Sequence, residues 1–191
     1  MIRIALIDDH PALVAGLTAV LRAEPGLLPV GTASDAAEAE HLLYRTQPDV
    51  VLLDYHLPRT DGLQLCQRIK RNPPAPKVLI YSAYADAWLG FAARVAGADG
   101  VASKAAPARE LYELIRRVAG GERVLPAVTH DQLHEAGGRV EDEDLPLLSM
   151  LVDGTAPHEI AETLRIPVAD IGHRVDRVLG RLRVDVPALT G

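Results

Sequence analysis

Residues 50–62 read Val50-Val51-Leu52-Leu53-Asp54-Tyr55-His56-Leu57-Pro58-Arg59-Thr60-Asp61-Gly62. Four aliphatic residues in succession suit a strand covered on both faces. The run closes on a carboxylate, and Pro58 and Gly62 then supply turn chemistry. The same device appears upstream, where Ile2-Arg3-Ile4-Ala5-Leu6-Ile7 closes on Asp8-Asp9. Further strands are expected over 29–33, 77–82 and 100–103, the fourth ending at Ser82 and the fifth followed by Lys104. Helical patterns fill the gaps at 11–23, 35–46, 61–71, 86–97 and 107–120. Pro11 suits a first helical turn, and Ser34 reads as the N-cap of the second helix. Five strand-then-helix units predict a five-stranded doubly wound parallel sheet with helices on both faces. Ligands of such sheets bind beyond the carboxyl ends of the strands. Asp8, Asp9, Asp54, Ser82 and Lys104 all fall at those ends.

The chain has 191 residues, enough for one sizeable domain and a small second one. Apolar residues make up 48% and aromatics 4%, so aliphatic side chains and alanine must fill the core. Cys66 is the single cysteine, which excludes an intramolecular disulfide and fits a reducing compartment. No apolar run approaches the roughly 20 residues of a membrane span, and no basic leader precedes the first strand. A soluble cytoplasmic protein is the expectation.

Gly120-Gly121 closes the alternating block, so the first domain is placed at 1–122. A linker follows over 123–142, with a short helix around 128–136. Residues 143–191 form a second domain, with helical periodicity through Leu147, Leu148, Leu151, Ile160, Leu164, Ile171, Val175, Val178 and Leu182. It reads as a small all-helical bundle. The net charge is −6, and residues 139–191 hold 6 basic against 10 acidic residues, so most of the excess acid lies there.

An Asp at a strand end is by itself a turn former or a helix cap. Three carboxylates and an ammonium gathered at the ends of neighbouring strands are another matter. A carboxylate can attack an activated phosphoryl group and hold it as an acyl phosphate. Catalysis of that transfer is mainly positioning and charge compensation. Magnesium favours oxygen ligands, which Asp9 and Asp54 can supply, with Asp8 acting directly or through water. Lys104 can neutralise one phosphoryl oxygen and Ser82 can donate a hydrogen bond to another.

With Asp8-Asp9, Asp54 followed by Pro58 and Gly62, Ser82-Ala83, and Gly97-Ala98-Asp99-Gly100 leading to Lys104, residues 1–122 resemble the receiver domain of two-component response regulators, a flavodoxin-like fold. The resemblance implies that Asp54 accepts a phosphoryl group from a phosphohistidine on a sensor histidine kinase. It implies Mg²⁺ held by Asp9, Asp54 and the backbone carbonyl of His56, with Asp8 assisting. Ser82 and Lys104 would sense the phosphoryl group, and the small Ala83 would leave it room. Receivers commonly carry an aromatic residue three positions before the lysine, which swings inward on activation. Val101 stands there, so either the switch runs through Tyr84 or the segment 84–90 instead, or the coupling is weak.

The C-terminal pattern Asp153-Gly154, then His158-Glu159-Ile160-Ala161 with Leu164, then Ile166, Ile171, Val175, Leu179 and Leu182-Arg183-Val184 resembles the helix-turn-helix of NarL/FixJ-type (LuxR-like) response regulators. The resemblance implies a homodimer that binds DNA through residues 157–183, with His173, Arg174, Arg177 and Arg181 as contact candidates. Family recognition helices usually carry Thr, Lys and Asn near their start; Asp170, Gly172 and His173 occupy those positions here, and Asp176 adds a further acid. DNA affinity depends on neutralising phosphates, so the acidic balance supports an alternative in which a degenerate output domain binds a protein partner or only dimerises. A third class, the aspartyl-phosphate phosphatases, wants a second Asp two residues after the nucleophile. Position 56 is His, so an enzyme is not expected.

Overall fold

The computed structural model describes residues 1–71 and 74–183. Val184, in the last motif above, lies outside the described residues, as does the rest of 184–191. Five strands form one parallel sheet: β1 (Ile2–Ile7), β2 (Leu27–Ala33), β3 (Val50–Asp54), β6 (Lys77–Ser82) and β7 (Gly100–Ser103), in the order β2-β1-β3-β6-β7. Two short strands, β4 (His56–Leu57) and β5 (Thr60–Asp61), make an antiparallel hairpin just beyond β3. Helices α1 (Pro11–Ala23), α2 (Ala36–Thr46), α3 (Gly62–Lys70) and α4 (Ala87–Val95) connect the sheet strands, and α5 (Ala108–Ala119) follows β7.

β2 begins two residues earlier than the aliphatic run suggests, because Leu27 pairs with Ile2. Pro29, which breaks that pattern, is tolerated because β2 is an edge strand. The expected cap also moves by one residue. Asp35 is the N-cap of α2 and accepts from the Glu38 amide, while the Ser34 hydroxyl donates to the Glu38 carboxylate at 2.8 Å. A carboxylate at the cap accepts from the orphan amides and favours the helix dipole more than a neutral hydroxyl does.

Alternation along the strands sorts the core into two layers. Ile4, Leu6, Val50, Leu52 and Leu79 face α1 and α5, packing with Leu21, Leu111, Ile115 and Val118. Ala5, Ile7, Val51, Leu53, Val78 and Ile80 face α2, α3 and α4. Cys66 is fully buried in this second layer, and burial pushes its thiol up to about 12, which leaves it unreactive.

The second layer does not stop at the α/β domain. It continues into the buried side chains of α6 (His130–Gly137), α7 (Leu145–Asp153), α8 (Pro157–Leu164) and α9 (Val168–Arg181). The α6 helix sits where a short linker helix was expected, capped by a Thr129–Gln132 capping box. Pro157 and a glutamate, Glu159, whose carboxylate accepts from the Ala156 amide, start α8, and Gly154 in the left-handed region (φ 80°) ends α7. The helical domain therefore docks on the α3–α4 side of the sheet. No described helix is long and apolar enough to cross a membrane.

Candidate functional site

The parallel register brings the ends of β1, β3, β6 and β7 to one edge. Ile7 pairs with Leu53, Asp54 with Tyr81, and Ser82 with Ser103. Asp8, Asp54, Ser82 and Lys104 thus leave the sheet side by side. Gly62 holds the loop after β3 tight: its amide donates to the Tyr55 carbonyl at 2.7 Å, and a Cβ there would collide with the Asp54 carbonyl oxygen. The sequence signal of Pro58 and Gly62 thereby becomes a fixed exit path from Asp54.

Lys104 is the charge centre of the cluster. Its Nζ lies 2.6 Å from Asp8 Oδ2 and 2.9 Å from Asp54 Oδ2. The Lys104 amide donates to the Ser82 carbonyl at 2.8 Å, which anchors the lysine to β6. Asp54 is only 3% exposed and Asp8 8%. Burial pushes the Asp54 carboxyl above its ordinary value, against the opposing pull of Lys104. Burial also works against the charge of Lys104, but its hydrogen bonds to Asp8 and Asp54 outweigh this and raise its pKa. Ser82 is buried, and its hydroxyl oxygen accepts from the Tyr84 amide at 3.1 Å, leaving its proton for another acceptor.

His10 was not foreseen as part of this site. Its Nδ1 stands 3.0 Å from Asp8 Oδ1, 3.0 Å from Asp9 Oδ1 and 3.9 Å from Asp54 Oδ2. The signal in the sequence was adjacency to Asp8-Asp9, but Pro11 made His10 read only as a helix-flanking residue. Its ring is 64% exposed and forms the outer wall of the site. Asp8, Asp9, His10 and Asp54 each offer one ligand atom, all within 4.8 Å of one another, so the cluster can hold a metal ion. Asp9 Oδ1 is buried without a hydrogen bond, with only the His10 ring nitrogen near it at 3.0 Å among the described residues. His56, whose carbonyl was expected among the ligands, lies in β4 immediately after the Asp54–Tyr55 step, with its side chain exposed.

The candidate nucleic-acid residues lie on α9, and their arginines are already occupied. Arg174 Nε donates to Asp144 Oδ1 at 2.7 Å, and Arg177 Nε to Asp144 Oδ2 at 2.8 Å. Arg177 also meets Glu143 at 2.7 Å, and Arg181 meets Glu141 at 2.5 Å. The acidic run before α7, which lowered the charge of this domain, is therefore the internal counterion of α9. Arg174 is 18% exposed, Arg177 44% and Arg181 50%, while His173 is exposed and unpaired among the described residues.

The face of α9 that carries Gly172 and Asp176 is turned to the α/β domain. Arg71, at the end of α3, lies against Gly172, where any Cβ would overlap its guanidinium, and pairs with Asp176 at 2.9 Å. On α4, Trp88 Nε1 donates to the Leu182 carbonyl at 3.2 Å. Trp88 stacks on Phe91 at 5.4 Å and carries the Arg139 guanidinium 4.5 Å over its ring. Val101 is half-buried and packs against the same layer as α4.

Residues 4–116 match the family model described as the response regulator receiver domain. The transcriptional regulatory protein LiaR of Bacillus subtilis is 29% identical over 96% of this chain and 92% of its own length. The DNA-binding transcriptional activator DevR/DosR of Mycobacterium tuberculosis is 29% identical over 97% and 90%. A solved LuxR-family two-component response regulator from Aurantimonas sp. SI85-9A1 superposes with a TM-score of 0.62, at 32% identity, over 74% of this chain and 99% of that one.

Proposed function

The chain belongs to the response regulator receiver family, as a two-component regulator acting on transcription, and from that premise we propose how its own residues run the signal. Asp54 takes the phosphoryl group from a phosphohistidine of a sensor histidine kinase. The observation that carries this is the ammonium of Lys104 bridging Asp8 and the buried Asp54. An ionised carboxylate held beside a fixed cation is a nucleophile whose product anion already has a counter-charge.

The donor set fits Mg²⁺, a hard cation that prefers carboxylate and carbonyl oxygens. Asp9, Asp54 and the His56 carbonyl would hold it, with Asp8 assisting, and it would offset charge on the transferring group. Asp9 Oδ1, which lacks a hydrogen bond, supports this assignment. The exposed ring of His10 can turn outward to leave the oxygens open. Ser82 donates its hydroxyl proton to a phosphoryl oxygen, and Lys104 moves from Asp8 towards the new anion.

Ser82 is six residues from Trp88, and the intervening turn ends at Asp86, which caps α4 by accepting from the Leu89 amide at 2.7 Å. A pull on Ser82 therefore reaches the first turn of α4 and the Trp88–Leu182 hydrogen bond. This route needs no aromatic at position 101. Trp88 is the only tryptophan of the chain, so it reports on its own contact. Addition of acetyl phosphate with Mg²⁺ is expected to change its emission and to increase its quenching by iodide. An unchanged spectrum in protein phosphorylated to completion refutes the route.

We assign the output to DNA through α9, in a homodimer whose two recognition helices meet half-sites about one turn apart. DevR/DosR, similar over nearly the whole chain, is described as DNA-binding. In the docked form the Gly172–Asp176 face is covered by Arg71, and the arginines are held by Glu141, Glu143 and Asp144. Binding then requires undocking and exchange of carboxylates for phosphates, a population shift driven by phosphorylation. Fluorescence anisotropy with the protein's own promoter tests this. Phosphorylated protein is expected to bind more tightly than unmodified protein, with affinity falling steeply as salt rises. Absence of binding by the phosphorylated form at low salt overturns the assignment of the output to DNA.

A further inference from the structure

A cleft of about 590 Å³ separates the two domains, between α3 and α4 on one side and α7–α9 on the other. One wall is apolar, formed by Leu151, Val168, Ile171 and Val175. The opposite wall carries Lys70, Arg71, Arg94 and Arg123. Among the described residues Asp99 is the only acid that lines it, and Asp99 is already committed to Lys70 at 2.7 Å, Lys77 at 3.2 Å and the Val78 amide at 2.8 Å. Arg71 is taken by Asp176. Two cations remain. Arg94 donates from one Nη to the Pro126 carbonyl at 2.9 Å, but its Nε is buried with no partner. Arg123 makes no hydrogen bond or ion pair among the described residues. Burial first, and the neighbouring Arg123 second, pull the Arg94 guanidinium below its ordinary value.

Gln67 lines the same cleft at 7% exposure, and its Oε1 is also buried without a partner. Buried polar groups are seldom left unsatisfied. Here a guanidinium nitrogen and an amide oxygen are both left so, in one cleft with uncompensated positive charge. An amide can turn to present either its oxygen or its nitrogen.

We propose that this cleft binds a small phosphate monoester with an apolar body. The phosphate dianion sits between Arg94 and Arg123, whose planar forks match its oxygens, and Gln67 completes its hydrogen bonding. The apolar body lies on Leu151, Val168, Ile171 and Val175. Because each domain supplies one wall, the ligand binds the docked form better than the undocked one and holds α9 against α3. Only that consequence rests on the regulatory reading; the binding itself does not.

The test uses the full chain, unphosphorylated and in EDTA so that the carboxylate cluster holds no cation. Phenyl phosphate is the probe, with inorganic phosphate and phenol as head and body alone, and binding is followed by calorimetry. Phenyl phosphate is expected to bind at least about tenfold more tightly than either fragment. Arg123→Gln, which breaks no observed contact, is expected to weaken it by about tenfold or more, the weight of one charge-assisted hydrogen bond. Arg94→Lys, a milder change at the Pro126 contact, is expected to act in the same direction. No heat from phenyl phosphate beyond that of inorganic phosphate overturns the proposal, and so does equal affinity in Arg123→Gln. Neither result touches the assignment of Asp54 or of DNA.

Discussion

No phosphoryl group is expected on protein carrying Asp54→Asn after incubation with acetyl phosphate and Mg²⁺, whereas the parent protein gains the mass of one. An amide oxygen cannot displace acetate to form an acyl phosphate. A full mass increment on the variant would show that another residue is the acceptor. The same substitution has a stability signature of fixed sign. Burial raises the Asp54 pKa above its unfolded value. The stability linked to that shift is present at low pH, where the group is protonated in both states, and is lost as pH rises through the folded value. Metal-free Asp54→Asn is therefore expected to melt above the parent at about pH 7, and the gap should narrow as the solution is acidified. A gap that widens towards acid would mean that Lys104 outweighs burial.

Asp144→Ala is expected to cost the helical domain about 2–3 kcal/mol, read as a lower denaturation midpoint in the far-ultraviolet signal. Asp144 is 1% exposed and binds both Arg174 and Arg177, so its removal leaves the largely buried Arg174 without its carboxylate. The pH dependence runs opposite to that of Asp54. Burial alone would raise the Asp144 pKa, but hydrogen bonds from Arg177 and Arg174 outweigh it and lower the pKa from 3.8. The stability it contributes is present above the unfolded value and disappears as pH falls through the folded one. The helical domain should therefore loosen in acid below about pH 4 in the parent, and Asp144→Ala should lose this acid transition. An unchanged midpoint in the variant would reduce the Arg–Asp network to surface decoration.

Much of the first domain could be read from local pattern. The runs at 2–7, 50–54 and 77–82 match β1, β3 and β6 residue for residue, because the buried centres of such strands are nearly continuous in aliphatic residues. β2 was legible only in part, since an edge strand tolerates Pro29 within it. Asp8, Asp54 and Lys104 could be placed together from sequence because parallel strands deliver their ends to one edge. Ser34 and Asp35 show the limit of resolution: either can cap α2, and their contest is settled by the reach of a carboxylate to the Glu38 amide.

Sequence by itself determined which residues end the strands, and hence that three carboxylates and an ammonium share an edge. Hydrophobic period and strand order are local properties, and the geometry of a parallel sheet carries them over to space. Only the tertiary structure decided that His10 stands among the carboxylates, that the acidic run at 141–144 neutralises α9, and that Arg71 covers Gly172. Those outcomes depend on where a side chain points and on which charge meets which across as many as 105 residues of chain, as Arg71 and Asp176 do. A charge has no period and many candidate partners, so docking and packing, rather than spacing, make the choice.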